Sequence, residues 1–286
     1  MGMISTVGLR VVRGPRTVVR DATFDVQPGH CTALVGPNGC GKSTLVAALC
    51  GDLPIGAGSV EIDGLDVAST SAGELARHRA VMTQQTQVAF GFTVREVVAM
   101  GRTPWRGERS SAAQDDAVVG QALADVDLLE LAERPVQALS GGELSRVAMA
   151  RVLAQGTNTL ILDEPTAALD LRHQVGLLDR VKARTREGAA ALVVLHDLTL
   201  AADFADEVLV MSEGRIVATG SPAEVIRPEL LSQVYGVEVV TVAHPVTGRP
   251  IVVPVSPMST GASPVVLGST ARTFWGSGCE SAAGAV

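Results

Sequence analysis

The sequence predicts an α/β fold, because patterns typical of buried strands alternate with helical patterns and a glycine-rich loop joins one strand to one helix. Residues 32–35 form a short apolar run that suits a buried strand, and residues 45–49 are apolar at helical spacing. The stretch GPNGCGKST lies between them, at residues 36–44. Two further apolar runs, 159–162 and 191–195, end in polar residues, as strands do when their carboxyl ends form a ligand site.

The glycine-rich stretch fits the phosphate-binding pattern G-x-x-x-x-G-K-[ST]. Its glycines allow backbone N–H groups to point at an anion, and the helix that follows adds the positive end of its dipole. Lys42 is placed to reach the terminal phosphates of a nucleotide, and the Ser43 hydroxyl is placed to hold Mg²⁺. The residues predicted to bind a nucleotide here are Gly36, Pro37, Asn38, Gly39, Cys40, Gly41, Lys42, Ser43 and Thr44.

Composition and charge argue against several classes of protein. Of the 286 residues 47% are hydrophobic, which is enough for a sizeable core, and the formal net charge is -7. Because no basic block occurs, we expect no nucleic-acid partner. No apolar run approaches the roughly 18 residues of a membrane span, so we expect a soluble, cytoplasmic protein. The cysteines match no zinc-ligand spacing and are predicted to be reduced thiols: Cys31, Cys40, Cys50 and Cys279.

Two of the predicted strands end in candidate catalytic residues. The run 159–162 is followed by Asp163, and an acid at a strand end beside a phosphate loop is suited to hold Mg²⁺ through water. Glu164, one residue further on, is placed to orient and deprotonate an attacking water. His196 follows the run 191–195, which we expect to lie beside the first strand, so we predict a role for His196 in the same site.

Ser140 and Glu143 predict the start of a helix. They form the capping box S-x-x-E, in which each side chain accepts a hydrogen bond from the other residue's backbone. Gly141 and Gly142 each cost the helix up to about 1 kcal/mol relative to alanine, and a cap alone does not need them. Backbone N–H groups without side chains in the way suit the close approach of an anion. The sequence therefore predicts both a cap and an anion site at residues 140–143.

Turn signals and alternating apolar residues assign the remaining strands. Residues 1–30 and 55–67 are expected to form antiparallel strands beside the phosphate loop. Residues 208–211 and 214–218 are expected to pair as a hairpin that closes the sheet. Pro222 is expected at the first position of a short helix.

Helical periodicity predicts an insert of two helices joined by a loop. Thr93 is expected to cap a helix over 94–100, and residues 115–131 form a second helix with one apolar face. Residues 102–111 between them are expected to be a surface loop. Residues 256–286 are rich in Ser, Gly and Ala, which predicts a disordered or loosely docked tail.

Motifs occur along the chain in a fixed order: the phosphate loop, Gln84, LSGGE at 139–143, the acids Asp163 and Glu164, and His196. With them, residues 5–255 resemble the nucleotide-binding subunit of ABC transporters. The resemblance implies an α/β fold with a P-loop (RecA-like) ATPase core, an antiparallel β subdomain and a helical subdomain at about residues 88–153. It implies a nucleotide-binding domain over residues 1–255, followed by the low-complexity tail 256–286.

The resemblance also implies ATP and Mg²⁺ as cofactors. In this family the lysine of the phosphate loop neutralises the phosphates. The glutamate after the strand at 159–162 is the general base, and the histidine after the strand at 191–195 contacts the γ-phosphate. The implied catalytic residues are Glu164, His196, Gln84 and Lys42, and the implied Mg²⁺ ligands are Ser43, Gln84 and Asp163.

A head-to-tail homodimer that holds two ATP molecules is implied in the same way. The LSGGE residues of one copy would complete the ATP site of the other, and residues 168–170 would cross the interface. Arg13 stands where the family usually stacks an aromatic residue on adenine, and a guanidinium can also stack on a base. The implied ATP contacts outside the phosphate loop are Arg13, Ser140, Gly141, Gly142, Glu143 and Asp170.

Further stretches resemble one group of importers. Residues 90–104, 167–174 and 196–198 look like the iron-chelate, haem and cobalamin importer group, and within it most like haemin importer ATPases. This resemblance implies two membrane permease subunits as partners, an indirect partnership with a substrate-binding protein, and a peripheral position at the cytoplasmic face of the cell membrane. Uptake of a ferric siderophore or of cobalamin stays open as the alternative.

Three other classes of protein are less consistent with the sequence. A soluble ABC ATPase of nucleic-acid repair would need a long coiled coil before LSGGE, and the interval here is short and lacks heptads. A translation-factor ATPase would carry a second copy of all the motifs. A purely regulatory nucleotide binder would be expected to lack Glu164.

Overall fold

A ten-stranded sheet forms the centre of the computed structural model, within the residues that it describes: 2–83, 91–107 and 111–256. The strands are β1 (Ile4–Arg13), β2 (Arg16–Val26), β3 (Cys31–Val35), β4 (Ala57–Ile62), β5 (Leu65–Asp66), β6 (Arg79–Met82), β7 (Thr159–Asp163), β8 (Ala190–Val194), β9 (Glu207–Ser212) and β10 (Arg215–Gly220). Their order across the sheet is β5-β4-β1-β2-β10-β9-β3-β8-β7-β6.

Parallel strands make up the half of the sheet that carries the candidate site. β6, β7, β8, β3 and β9 run parallel to one another, and every residue of β3, β7 and β8 is buried. Their nearly continuous apolar runs fit strands that are covered on both faces. Because the carboxyl ends of parallel strands meet at one edge, the residues that follow β3, β7 and β8 lie close together.

Antiparallel strands make up the other half. β1 pairs antiparallel with both β2 and β4, and β4 pairs with β5. β2 forms one parallel pair with β10, Asp21 with Arg215, and β10 in turn joins the parallel half by pairing with β9. β9 and β10 form an antiparallel hairpin. The antiparallel strands predicted for residues 1–30 and 55–67, and the predicted hairpin, are confirmed.

Helices connect and cover the strands, and with the sheet they confirm the predicted α/β fold class. None of the helices described is long and apolar enough to cross a membrane. The helices are α1 (Lys42–Leu49), α2 (Ala72–His78), α3 (Val94–Ala99), α4 (Ala112–Asp125), α5 (Gly141–Gln155), α6 (Leu171–Arg186), α7 (Leu198–Phe204), α8 (Pro222–Val225) and α9 (Pro228–Tyr235), with 3₁₀ turns at Met100–Trp105, Leu129–Leu131 and Val136–Ala138.

The helical layer between β6 and β7 confirms one predicted boundary and corrects another. Thr93 caps α3 in a capping box, as predicted. The helix predicted over 115–131 begins three residues earlier, because Ser111 and Gln114 form a capping box. It ends six residues earlier, because Asp127 adopts a left-handed conformation with φ of 55°. A capping box and a left-handed residue therefore determine the two ends of α4, and the extent of its apolar face does not.

The surface loop predicted over 102–111 is also corrected in its first part. Met100–Trp105 is a 3₁₀ turn that packs against the end of α5. The Trp105 indole Nε1 donates a hydrogen bond to the Gln155 carbonyl at 2.7 Å, and Arg102 Nε lies 2.8 Å from an Asp115 carboxylate oxygen. These contacts join residues far apart in sequence, so no local pattern predicts them. The boundaries 88–153, 1–255 and 256–286 stay predictions.

The C-terminal part of the described chain packs on the parallel half. Pro222 opens α8 as predicted, and a two-stranded sheet of β11 (Val239–Ala243) and β12 (Pro250–Pro254) follows α9. The Arg249 guanidinium donates to the carbonyl oxygens of Ala202 and Asp203 at the end of α7. Cys31, Cys40 and Cys50 are buried free thiols, as predicted, while Cys279 lies outside the described residues.

Candidate nucleotide site

The loop at residues 36–44 connects β3 to α1 and curves tightly against the β9–β10 hairpin. Gly36 has φ of 153°, and a Cβ there would overlap the Met211 carbonyl oxygen. Gly41, the N-cap of α1, has φ of 118°. The Gly214 amide donates to the Cys40 carbonyl at 2.8 Å. Glycine is thus required where the loop touches the hairpin, and the hairpin turn holds the loop in place.

Lys42 is buried at the start of α1 with its ammonium group over the loop. Its Nζ donates to the Gly36 carbonyl at 2.6 Å and to the Pro37 carbonyl at 3.2 Å. These carbonyls belong to the loop itself, so the cation is held at the place where the loop would receive phosphates. Thr44 is buried beside it on α1.

Asp163 ends β7 and faces Lys42 and Ser43. Burial raises the pKa of its carboxyl group, the charge of Glu164 acts in the same direction, and Lys42, His196 and a hydrogen bond from Ser43 act in the opposite direction. Its Oδ1 is buried and has no hydrogen-bond partner among the residues described. A carboxylate oxygen without a partner, next to a hydroxyl, is a donor set that Mg²⁺ accepts, so these residues fit the predicted metal.

Glu164 has an unusual backbone conformation. Its φ is 54°, in the left-handed region, although a residue before a proline is normally extended. The Glu164 amide donates to the Val194 carbonyl of β8 at 3.2 Å, which ties this turn to the neighbouring strand. Backbone strain of this kind is found at functional sites, where the surrounding structure holds it.

Glu164 and His196 form a close pair. His196 Nε2 lies 2.5 Å from Glu164 Oε1, and the side chains are 45% and 11% exposed, respectively. The adjacent strands β7 and β8 end at the same edge of the sheet, which explains why the two residues meet. The result is a sheltered carboxylate next to an imidazole that solvent can reach.

The LSGGE segment forms the capping box predicted from the sequence. The Glu143 amide donates to Ser140 Oγ at 3.3 Å, and the Ser140 amide donates to Glu143 Oε2 at 2.7 Å. The Ser140 hydroxyl also donates to Glu143 Oε2 at 2.7 Å, and the two bonds from Ser140 to this carboxylate lower the pKa of the Glu143 carboxyl group, the backbone bond being the larger cause. Gly142 lies against the next loop, where a Cβ would be 3.1 Å from the Ala168 carbonyl oxygen. Because residues 141 and 142 are glycines, no side chain of theirs covers the backbone N–H groups in the first turn of α5.

Within one chain, this turn contacts the loop that follows Glu164. Ser145 Oγ donates to the Pro165 carbonyl at 3.0 Å, and a cavity of about 220 Å³ has Gly141, Asp163 and Glu164 among its lining residues. The loop ends at Asp170, which caps α6 by accepting a hydrogen bond from the His173 amide at 2.9 Å. Changes at Glu164 can thus reach the first turn of α5 through a few contacts.

The predicted site residues fall into groups. Lys42, Ser43, Asp163, Glu164 and His196 lie together at the carboxyl ends of the parallel strands. Residues 140–143 and Asp170 lie on either side of the loop at 165–169. Arg13 is exposed at the end of β1, and Gln84 lies outside the described residues.

Sequence reasoning missed two residues that shape the loop, Met211 and Gly214. Met211 lies near the end of β9 and Gly214 lies in the turn that follows, and their backbone atoms limit where the phosphate loop can go. The pair Glu213-Gly214 between two apolar runs was the available signal, but it indicates a turn without indicating what the turn contacts.

The fold and site together define a P-loop ATPase, with a phosphate loop after one parallel strand and acids at the tip of another strand of the same sheet. The model of the family described as ABC transporter matches residues 19–167. The chain belongs to this family, and the predictions of an ABC ATPase fold and of an ATPase are confirmed.

Curated relatives match most of the chain. It is 50% identical over 248 residues to the hemin import ATP-binding protein HmuV of Rhodococcus jostii (strain RHA1), with 86% of this chain and 84% of the relative covered. It is 52% identical over 244 residues to the protein of the same name from Nocardia farcinica (strain IFM 10152), with 85% and 84% covered. The predicted resemblance to haemin importer ATPases is confirmed.

A solved structure has the same fold. The dimeric structure of MJ0796, a bacterial ABC transporter cassette, superposes with a TM-score of 0.70 at 24% sequence identity. The match covers 77% of this chain and 98% of that chain.

Proposed function

We propose that the chain is the ATP-hydrolysing subunit of a haem importer and works with a separate membrane permease. Relatives that are 50% and 52% identical over most of the chain carry the name hemin import ATP-binding protein, which supports haem as the cargo. The observation that carries the catalytic proposal is the convergence of Lys42, Asp163, Glu164 and His196 at one edge of the sheet.

ATP is proposed to bind with its phosphates in the loop at residues 36–44. Lys42 would exchange the carbonyls of Gly36 and Pro37 for the terminal phosphates, because a charged acceptor makes a stronger hydrogen bond than a neutral one. The backbone amides of the loop and the N-terminus of α1 would neutralise the remaining charge. Arg13 is proposed to stack on the adenine, as its position in the sequence suggests.

Ser43 and Asp163 are proposed to hold Mg²⁺, with Gln84 as a third ligand from the sequence pattern. The position of the Ser43 hydroxyl beside the Asp163 carboxyl group and the unpartnered Oδ1 of Asp163 support this assignment. When bound, the ion would neutralise charge that develops on the phosphates during hydrolysis.

Glu164 is proposed as the general base. It would take a proton from a water whose oxygen attacks the γ-phosphorus, while the bond to the oxygen between the β- and γ-phosphorus breaks and ADP leaves. Its low exposure fits this role, because a site closed to bulk solvent excludes competing water molecules. His196, 2.5 Å from Glu164, would orient the carboxylate and contact the γ-phosphate.

A head-to-tail homodimer is proposed to complete each site. The bare first turn of α5, with Ser140, Gly141, Gly142 and Glu143, would face the γ-phosphate held by the other copy. Asp170 and the loop before it would lie at the interface between the copies. This arrangement would make the dimer symmetric, since each copy gives the same surface and receives the same surface.

A permease is proposed to dock in the groove between α2, β6 and the 3₁₀ turn at Met100–Trp105. The groove contains two cavities of about 330 and 290 Å³, and Arg79 is among the lining residues of both. Arg79 is buried, and its Nε has no hydrogen-bond partner within the part of the chain that the structure describes. Two permease subunits would hold the ATPase dimer at the cytoplasmic face of the membrane, with a substrate-binding protein as an indirect partner and no nucleic acid.

The catalytic proposal is tested by Glu164→Gln. We expect phosphate release to fall to background while ATP still binds, and we expect the variant to accumulate as an ATP-bound dimer in size-exclusion chromatography. The matched control is Glu187→Gln, which removes an exposed carboxylate paired with Arg184 at 2.6 Å and should hydrolyse ATP normally. Normal phosphate release from Glu164→Gln would overturn the assignment of the base.

The cargo is tested in vesicles that contain this chain and the permease with which it co-purifies. Binding protein loaded with haem should stimulate ATP hydrolysis, and the same protein offered a ferric siderophore or cobalamin should not. Stimulation by the siderophore or cobalamin alone would contradict the proposal for haem and leave the proposal for ATP hydrolysis intact.

A further inference from the structure

The last helix described, α9, ends at a tyrosine that reaches the phosphate loop. The Tyr235 ring packs against the core cluster that contains Val35 of β3 and Leu231 of α9. Its hydroxyl faces the backbone amide of Gly36 and the Cys40 thiol, and burial raises the pKa of this hydroxyl to about 12. A residue about 200 positions away in sequence thus lies beside the first residue of the loop.

The Tyr235 hydroxyl oxygen is buried, yet it makes no well-formed hydrogen bond to any described residue. A buried hydroxyl without a partner destabilises the state in which it occurs. Phenylalanine would supply the same ring for packing without this cost. We therefore expect the hydroxyl to add no stability in this conformation beyond what the ring supplies.

The neighbouring part of the loop is expected to rearrange when a nucleotide binds. Lys42 Nζ donates to the Gly36 carbonyl at 2.6 Å, and it must leave this acceptor to reach the phosphates of ATP. The Gly36 carbonyl oxygen loses its hydrogen bond from Lys42 in that step, so we expect the neighbouring peptide groups to be able to change orientation. Its amide already lies next to the Tyr235 hydroxyl.

We propose that Tyr235 is a positioning residue for the phosphate loop, and that its hydroxyl accepts a hydrogen bond from the Gly36 amide when ATP is bound. The inference rests on the proposed binding of ATP by residues 36–44. It links the C-terminal part of the chain to nucleotide affinity, because α9 holds Tyr235 in place.

The variant Tyr235→Phe separates this role from a packing role. We expect the dissociation constant and the KM for ATP to rise about two- to tenfold, the range that one hydrogen bond supplies, with kcat unchanged. The melting temperature without nucleotide should be equal to the wild-type value or higher, because the unpartnered hydroxyl is gone. The rise in melting temperature caused by ATP should be smaller than in the wild type.

Ser232→Ala is the matched control, because it removes a hydroxyl from the same helix. Ser232 Oγ accepts a hydrogen bond from the Val239 amide at 3.1 Å, away from the loop. This variant should have a lower melting temperature and an unchanged KM for ATP. Tyr235→Phe is thus expected to weaken ATP binding without lowering stability, and Ser232→Ala is expected to lower stability without weakening ATP binding.

Isothermal titration with ATP, thermal unfolding and steady-state hydrolysis measure these quantities on the full chain. An unchanged dissociation constant in Tyr235→Phe would overturn the inference, and so would a lower melting temperature with an unchanged KM. Lys42→Ala tests the proposed function separately: if the wild type binds ATP no better than this variant, binding by the loop itself is refuted.

Discussion

Replacing Gly142 by alanine separates the stability of α5 from the function of its first turn. Alanine is favoured over glycine in a helix by up to about 1 kcal/mol. At Gly142 the new Cβ would lie 3.1 Å from the Ala168 carbonyl oxygen, so a small shift of the backbone offsets part of this gain. At Gly141 the nearest atom would be the Ala168 Cβ at 3.9 Å, an ordinary contact, so the gain is kept.

We therefore expect Gly141→Ala to raise the free energy of unfolding by up to about 1 kcal/mol, and Gly142→Ala to change it by less than that. Urea unfolding of the nucleotide-free protein measures both. If the bare backbone receives the phosphate held by a second copy, Gly142→Ala lowers the rate of ATP hydrolysis on the order of a hundredfold, as the loss of one donor to a transition-state anion does.

Two results would refute this reasoning. Full ATP hydrolysis by a Gly142→Ala protein of normal stability would show that no anion approaches this turn closely. A loss of stability in Gly141→Ala would show that the glycine has a structural role that helix propensity and the contact at 3.9 Å do not describe.

Two further predictions concern buried ionisable groups. Burial raises the pKa of the Cys50 thiol from 9.0 to about 12. Above pH 9 the unfolded chain releases this proton and the folded chain keeps it, so the free energy of unfolding falls as the pH rises. In urea unfolding, the free energy of unfolding of Cys50→Ala should therefore fall by about 1 kcal/mol less than that of the wild type between pH 9 and 10. Equal losses would contradict this. For Asp163, adding Mg²⁺ to the ATP-bound protein should raise the melting temperature in the wild type but not in Asp163→Asn, and an equal rise in both would exclude Asp163 as a ligand.

The catalytic edge of the sheet could be predicted because each part depends on a local pattern. Apolar runs predict buried strands, and parallel strands that end at the same edge bring the residues after them together. This reasoning correctly predicted that His196 lies near Asp163 and Glu164. The capping box at Ser140 and Glu143 is equally local, since both partners lie within one helical turn.

Elements that depend on distant contacts could not be predicted in this way. β6 was not predicted, and it depends on a distant contact, because Arg79 is buried and donates to the Cys50 carbonyl. The left-handed conformation of Glu164 contradicts the local preference of a residue before proline, and its amide is held by Val194 of the next strand. Tyr235 lies in an ordinary amphipathic helix, and nothing near it in the sequence indicates the phosphate loop.

The proposed nucleotide site combines several unfavourable features, and we expect these features to strengthen the binding of a ligand that relieves them. The Lys42 ammonium is held by the neutral carbonyls of Gly36 and Pro37, Asp163 is buried with an oxygen that lacks a partner among the described residues, and Glu164 has a strained backbone. The buried strands and helices around the site stabilise the fold and so offset these costs. In the proposed mode of binding, phosphates would offer Lys42 a charged acceptor and a cation would offer Asp163 a partner, so part of the binding free energy would come from satisfying these groups. Release of the γ-phosphate after hydrolysis would restore those costs, which favours opening of the site.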